Sequence, residues 1–154
     1  MGIFDKTPIR KLLTDIAAIN AGELFISVIS DQQTRKDIVK LNTNQMKLEF
    51  KNSEGVLLSD IGGGYADQTL ADGKKQGRFK VDLYVSGEFH ESFEVVNVTS
   101  SGFTIKSNPI MDDGTNLFNR WGEEIEGLTF ESLDKLSLFL IPRYQSDIRK
   151  KLIL

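Results

Sequence analysis

The chain carries one histidine, His90, and no cysteine in 154 residues. A cysteine nucleophile, a disulfide framework and a thiolate zinc site are therefore excluded. A lone imidazole with no serine placed for a triad is a poor catalyst. Ser92 would share a face with His90 on a strand but not on a helix. His90 reads as a structural histidine, half-buried or at the surface. Asp112–Asp113–Gly114 has the look of part of a calcium loop, but the alternating ligands and the closing glutamate are missing, so it reads as a solvated turn. Glu124 and Glu126 would share a face of an extended segment beside Glu123, the placement a glycosidase-like pair requires. Nothing nearby supplies the apolar pocket that raises one carboxyl's pKa, and these are read as rim residues. Gly62–Gly63–Gly64 precede neither a lysine–serine or lysine–threonine pair nor a clear helix start, which rules out both the P-loop and the dinucleotide fingerprint. They read as a hinge. The sequence thus points to no catalytic residue, no metal ligand and no cofactor.

The remaining chemistry is electrostatic. Lys74, Lys75, Arg78 and Lys80 cluster, with Tyr65 and Phe79 as stacking groups, and such a set can meet a phosphate backbone. A small nucleic-acid-binding protein using this basic loop is therefore the alternative reading. With 19 basic and 22 acidic residues, for a net charge of −3, any such contact is local. Asn97-Val-Thr99 matches a glycosylation sequon, but the N-terminus MGIFDKTPIRKLL has no apolar stretch of signal-peptide length. Its threonine also stands one place too late for myristoylation. No apolar run approaches the length of a membrane span, and a protein made in the cytoplasm, with no membrane partner, is expected.

The elements that must position these residues follow from periodicity. Thr7–Pro8 is a helix start, with Ile9, Leu12, Leu13 and Ile16 on one face and Asn20–Ala21–Gly22 as its end. Leu24, Phe25, Val28 and Ile29 form a helical stripe, although the branched residues also suit a strand. The reading favours helix. Gln32 to Phe50 is helical, and Asn52-Ser-Glu-Gly55 is a turn. Residues 68–77 form a loop with one helical turn at Thr69–Ala71. Phe93–Val98 and Phe103–Ile105 are paired strands around Ser100–Ser101–Gly102. Asn116 to Trp121 is a short helix ending at Gly122.

Thr129 caps a terminal helix with Leu133, Leu136, Leu140, Ile141, Tyr144, Ile148 and Leu152 on its apolar face, kinked but not ended by Pro142. The fold class is α+β: amphipathic helices at both ends packed on a small antiparallel sheet. A single domain spanning 1–154 is expected, with a long extended loop, a flexible arm, at about 53–80. That arm is glycine-rich and lacks apolar periodicity, so it is expected not to bury itself. Short exposed strand edges favour pairing with another chain.

An ordered set of phrases resembles a known family. It comprises Leu41–Asn42–Thr43 with Gln45; Asn52-Ser-Glu-Gly55; Tyr65-Ala-Asp-Gln-Thr69; Lys74–Lys75 with Gly77; and Val81-Asp-Leu83. It continues with Ser86–Gly87–Glu88–Phe89, Ser92–Phe93, Trp121–Gly122, Gly127–Leu128–Thr129 and the terminal helix. Together these are similar to small structural proteins of tailed bacteriophages: tail-completion, neck and head–tail connector proteins. Serine at 86 replaces the usual threonine, asparagine at 52 an aspartate, and Gly62–Gly64 lengthen the arm. The resemblance implies a virion protein that forms a homo-oligomeric ring between portal and tail. Such a ring would touch portal, adaptor or tail proteins and have genome DNA within reach of its lumen. The arm residues Tyr65, Thr69, Lys74, Lys75, Arg78 and Phe79 are expected to make subunit contacts. Gly87, Phe89, Phe93 and Trp121 are expected to hold the arm's base to the core.

Overall fold

The computed structural model describes residues 8–73 and 75–152, and these form an α+β fold. Helices α1 (Pro8–Ala17), α2 (Ala21–Ser30) and α3 (Gln32–Glu49) precede two short helices, α4 (Leu58–Gly62) and α5 (Asp67–Ala71). A single turn, α6 (Glu88–Glu91), leads into the hairpin β1 (Glu94–Thr99) and β2 (Gly102–Lys106). Then come α7 (Phe118–Trp121), a 3-10 turn over Glu123–Ile125, and the long α8 (Phe130–Leu152). The N-cap expected at Thr7, and the loop cation Lys74, lie outside the described residues. Among the described residues no single helix is long and apolar enough to cross a membrane.

The stretch at 24–29 is helix, as favoured, with Leu24, Val28 and Ile29 buried. Asn20 plays a different part from the one expected. The first helix stops at Ala17, and Asn20 Oδ1 caps the next one, accepting from the Gly22 and Glu23 amides at 2.9 and 3.2 Å. Asparagine is among the best N-caps, which is why the same residue reads equally well as a stop or a start.

The hairpin is antiparallel, with Glu94 opposite Lys106, Val95 opposite Ile105 and Val96 opposite Thr104. Register then shifts before Thr99 meets Gly102, and Asn97 absorbs the irregularity at φ +50°. Asparagine tolerates that left-handed region better than a branched residue would. Val95 and Ile105 point inward onto a core that includes Ile29, Ile38, Met46, Leu58, Val81 and Ile125.

Helix α3 is tied to the start of α8 by two buried amides. Asn42 donates to the Ile125 carbonyl at 3.1 Å and accepts from the Gly127 amide at 2.9 Å. Gln45 Oε1 accepts from the Thr129 amide at 2.8 Å and the Ser132 hydroxyl at 3.1 Å. Thr129 is the N-cap, its hydroxyl accepting from the Ser132 amide at 3.2 Å.

That clamp fixes the rotation of α8 and corrects the expected core face. Ser132, Leu136 and Leu140, spaced four apart, are buried, whereas Leu133 and Ile141 are exposed. The buried Ser132–Gln45 hydrogen bond turns the helix toward its serine rather than toward Leu133. Pro142 sits inside the helix without ending it.

Candidate interaction surface

The arm is the part of the chain whose residue types suggested contacts, and its local folding decides which of them are available. It begins at a closed turn. Asn52 is buried, and its Oδ1 accepts from the amides of Glu54 and Val56 at 3.1 and 2.9 Å. The Ser53 amide donates to the Glu124 carbonyl at 2.8 Å, and that of Leu58 to the Phe50 carbonyl at the same distance. An asparagine carboxamide makes this side-chain turn as well as an aspartate would.

Leu58 is fully buried at the head of α4. Leu58 is the one described residue of 53–80 that is buried, and most of the rest of that segment is exposed. A single leucine at a helix start, with no periodic partners, anchors the segment, and a periodicity search has no means of finding it. Gly62 follows, so close to the Trp121 indole that a Cβ there would overlap the ring. Gly64 is likewise pressed against the Arg78 backbone. Arg120 stacks on the Trp121 ring at 4.6 Å and donates to the Gly62 and Gly64 carbonyls at 2.6 and 3.4 Å. Of the three glycines read as a hinge, Gly62 and Gly64 are therefore places of close approach, and Gly63 is the one at positive φ, +75°.

The outgoing and returning limbs of the arm meet at Asp82. The Tyr65 hydroxyl donates to Asp82 Oδ1 at 2.6 Å and accepts from the Asp82 amide at 3.1 Å. The Lys75 ammonium donates to the same oxygen at 2.7 Å and to the Tyr84 carbonyl. The Tyr84 amide supplies a further bond at 3.0 Å. Burial alone would push the Asp82 carboxyl up. The bonds from Lys75, Tyr65 and Tyr84 outweigh it and hold the group below the usual carboxylate range. Burial, then the neighbouring carboxylate, push the Tyr65 phenol well above its ordinary value, so it stays a donor.

His90 closes the network from below. Its Nε2 lies 2.9 Å from the Asp82 carbonyl, which can only accept, so this nitrogen carries the proton. The ring is buried edge-on against Tyr84 and Phe89, and desolvation lowers its pKa below the ordinary 6.5. It is a structural histidine on α6, where Ser92 instead donates to the Phe89 carbonyl at 2.7 Å. Gly87 opens that helix at φ +102°, and the Phe89 and Phe93 rings pack edge-on at 5.0 Å. Both rings and Trp121 belong to the core.

The structure brings Tyr65, Lys75 and Arg78 together on the same chain, with Lys75 shielded and Arg78 still exposed. Arg78 donates to the Tyr65 carbonyl at 3.2 Å and pairs with Asp67. Thr69 is half-buried in a cleft of about 500 Å³ that it shares with Tyr65, Val85, Met111 and Trp121. Phe79, at 69% exposure, is the most exposed large apolar residue of the arm, and Val85 on the cleft wall is 72% exposed. The sequence reading missed Asp82, the acceptor that gathers the arm, and Arg120, which carries the glycine limb. Asp82 was signalled only by being a lone carboxylate between apolar Val81 and Leu83.

A second exposed surface lies on α8, where Phe130 (89% exposed), Ile141 and Leu138 share the side away from the buried stripe and Leu133 borders that stripe. Leu13 and Ile16 of α1, a helix that packs on α8, are exposed as well. Compared with known proteins, the chain matches no family model, no curated protein and no solved structure.

Proposed function

We propose that this chain is a structural subunit that works by docking rather than catalysis: a neck or tail-completion protein of a tailed phage, assembled as a ring of identical copies between portal and tail. The observation that carries the reading is the outward apolar side of α8, Phe130, Leu138 and Ile141, on a folded chain whose core is already filled. Large apolar side chains gathered on an exposed face mark association surfaces. The phage assignment rests on the ordered motifs from Leu41 to Thr129.

In this reading α8 and α1 meet the neighbouring copy, and Phe79 at the returning end of the arm, with Val85 beyond it, meets a different protein of the virion. The nucleic-acid alternative has lost one of its cations, because Lys75 is shielded in its pair with Asp82, whereas Arg78 pairs with Asp67 only at the surface.

Sedimentation velocity across a concentration series tests the association. The wild type should form closed higher-order species, and Phe130→Ser with Leu138→Ser should remain folded and monomeric. A wild type that stays monomeric up to the highest soluble concentration overturns the ring. Complementation of a phage lacking this gene, scored by heads joined to tails, tests the assignment to the virion.

A further inference from the structure

Helix α3 has two sides. One faces α8, where Asp37 pairs with Arg143 and Glu49 with Lys135. The other, formed by Gln32, Arg35, Lys36, Val39, Lys40 and Thr43, lines a cleft of about 390 Å³ with Phe93, Glu94 and Val95 of the hairpin. The cleft takes in Phe93, Glu94 and Val95 and no residue of β2, so it borders β1 on the side away from β2, where α3 packs. That edge is unpaired. β1 is bonded to β2 on its other side, and among the described residues no further strand, backbone group or side chain takes up the outward N–H and C=O groups of Glu94–Val96. The floor is apolar, made by Phe93, Val95 and Val39. The rim carries three exposed cations, Arg35, Lys36 and Lys40, none of which has an ion pair among the described residues, against the single carboxylate of Glu94.

We infer that this cleft binds an extended acidic segment of a partner protein, taken up as a third strand on the free edge of β1. The edge supplies backbone bonds at the pitch of a strand, and alternate side chains of an added strand point to opposite faces. One set therefore enters the Val39–Phe93–Val95 floor. The other set projects toward Arg35, Lys36 and Lys40, and the unpaired cations select carboxylates there. The segment recognised alternates apolar and acidic residues. A nucleic acid would satisfy the cations alone, leaving the strand edge unpaired and the floor wet. The irregularity at Asn97 limits the usable edge to its first few residues, so the segment is short. This surface lies on the opposite side of α3 from α8, so it is independent of the contact proposed between copies.

The test is a titration of the isotope-labelled full chain with a fluorescein-labelled peptide of alternating aspartate and valine. Three comparison probes are used: the same peptide N-methylated at alternate amides, an alternating lysine–valine peptide, and oligothymidylate. Binding of the aspartate–valine peptide should move the amide resonances of Glu94, Val95 and Val96 and weaken with added salt. The combined variant R35E/K36E/K40E, exposed at every position, should keep its melting temperature and lose affinity by about tenfold or more. The N-methylated and lysine peptides should not bind. Equal binding of the N-methylated peptide overturns the strand mode. Tighter binding of oligothymidylate at the same resonances overturns the partner class, and unmoved β1 amides overturn the site.

Discussion

The Lys75 ammonium and the Asp82 carboxylate meet at 2.7 Å, with only 8% and 16% of the two side chains exposed. Lys75 was expected to be an exposed contact of the arm. It is instead the bolt that closes the arm on its own chain, with the Tyr65 ring 4.8 Å from its ammonium.

Breaking this pair from one side should cost far more than an exposed ion pair is worth. Lys75→Met leaves a shielded carboxylate without its cation, and Asp82→Asn leaves a shielded ammonium without its anion. Each should destabilise by about 3–5 kcal/mol, because the loss includes an uncompensated charge. Tyr65→Phe removes one donor and should cost about 1–3 kcal/mol. Chemical denaturation of the singles and doubles gives the coupling, and strictly additive losses would show that the three groups do not act together.

The pH dependence of stability isolates His90, the chain's one histidine. Burial lowers its folded pKa below 6.5. At neutral pH neither the folded nor the unfolded chain is charged there. As pH falls through about 6.5 the unfolded chain takes up a proton that the folded one resists, so stability drops until the folded pKa is reached. Melting temperature should decline on acidification from neutral, and His90→Gln, which keeps a donor for the Asp82 carbonyl, should flatten the profile. The carboxylates held low, Asp82 and Asp37, lose their contribution only in more acidic solution, near and below 3.8. An unchanged slope in the glutamine variant would mean that the imidazole is not buried.

Gly62 and Gly102 form a matched comparison. A methyl group at Gly62 would run into the Trp121 ring, whereas one at Gly102 meets nothing within 4 Å. Gly62→Ala should cost about 1–3 kcal/mol by overpacking. Gly102→Ala should be neutral or raise stability by about 0.4–1 kcal/mol through the unfolded state. Similar effects at the two sites in thermal melts would remove the close-approach account and return Gly62 to a hinge.

What was legible in the sequence is what repeats or punctuates. The hairpin, α3, the Asn52 turn and the Thr129 cap all carry local signals, and each stands within a residue of where it was read. The arm was harder because its order comes from distant partners. Leu58 is held by the core, Gly62 by Trp121, and Tyr65 and Lys75 by Asp82. None of those pairings leaves a local pattern. The rotation of α8 was misread for a related reason. Its apolar residues cover too wide an arc to be buried together, and the choice among them is made by Gln45, a polar residue on another helix.

That choice makes the two sides of α8 experimentally separable. Leu136 is buried and Ile141 is half exposed. Leu136→Ala should cost about 2–5 kcal/mol as a core truncation. Ile141→Ala should fall within about half a kcal/mol of wild type, as a surface change away from caps and networks. The order reverses for association. Ile141→Asp places a charge on the outward apolar side beside Leu138, where burial against a second copy would desolvate it without a partner. It should leave the melting temperature of the isolated chain nearly unchanged and abolish the higher-order species in sedimentation. Leu136→Ala, studied at a temperature where it is still folded, should keep them. If Ile141→Asp unfolds the chain, the residue belongs to the core and the face has been misassigned. If it folds and still assembles, copies meet through some other surface and the outward side of α8 is not the contact.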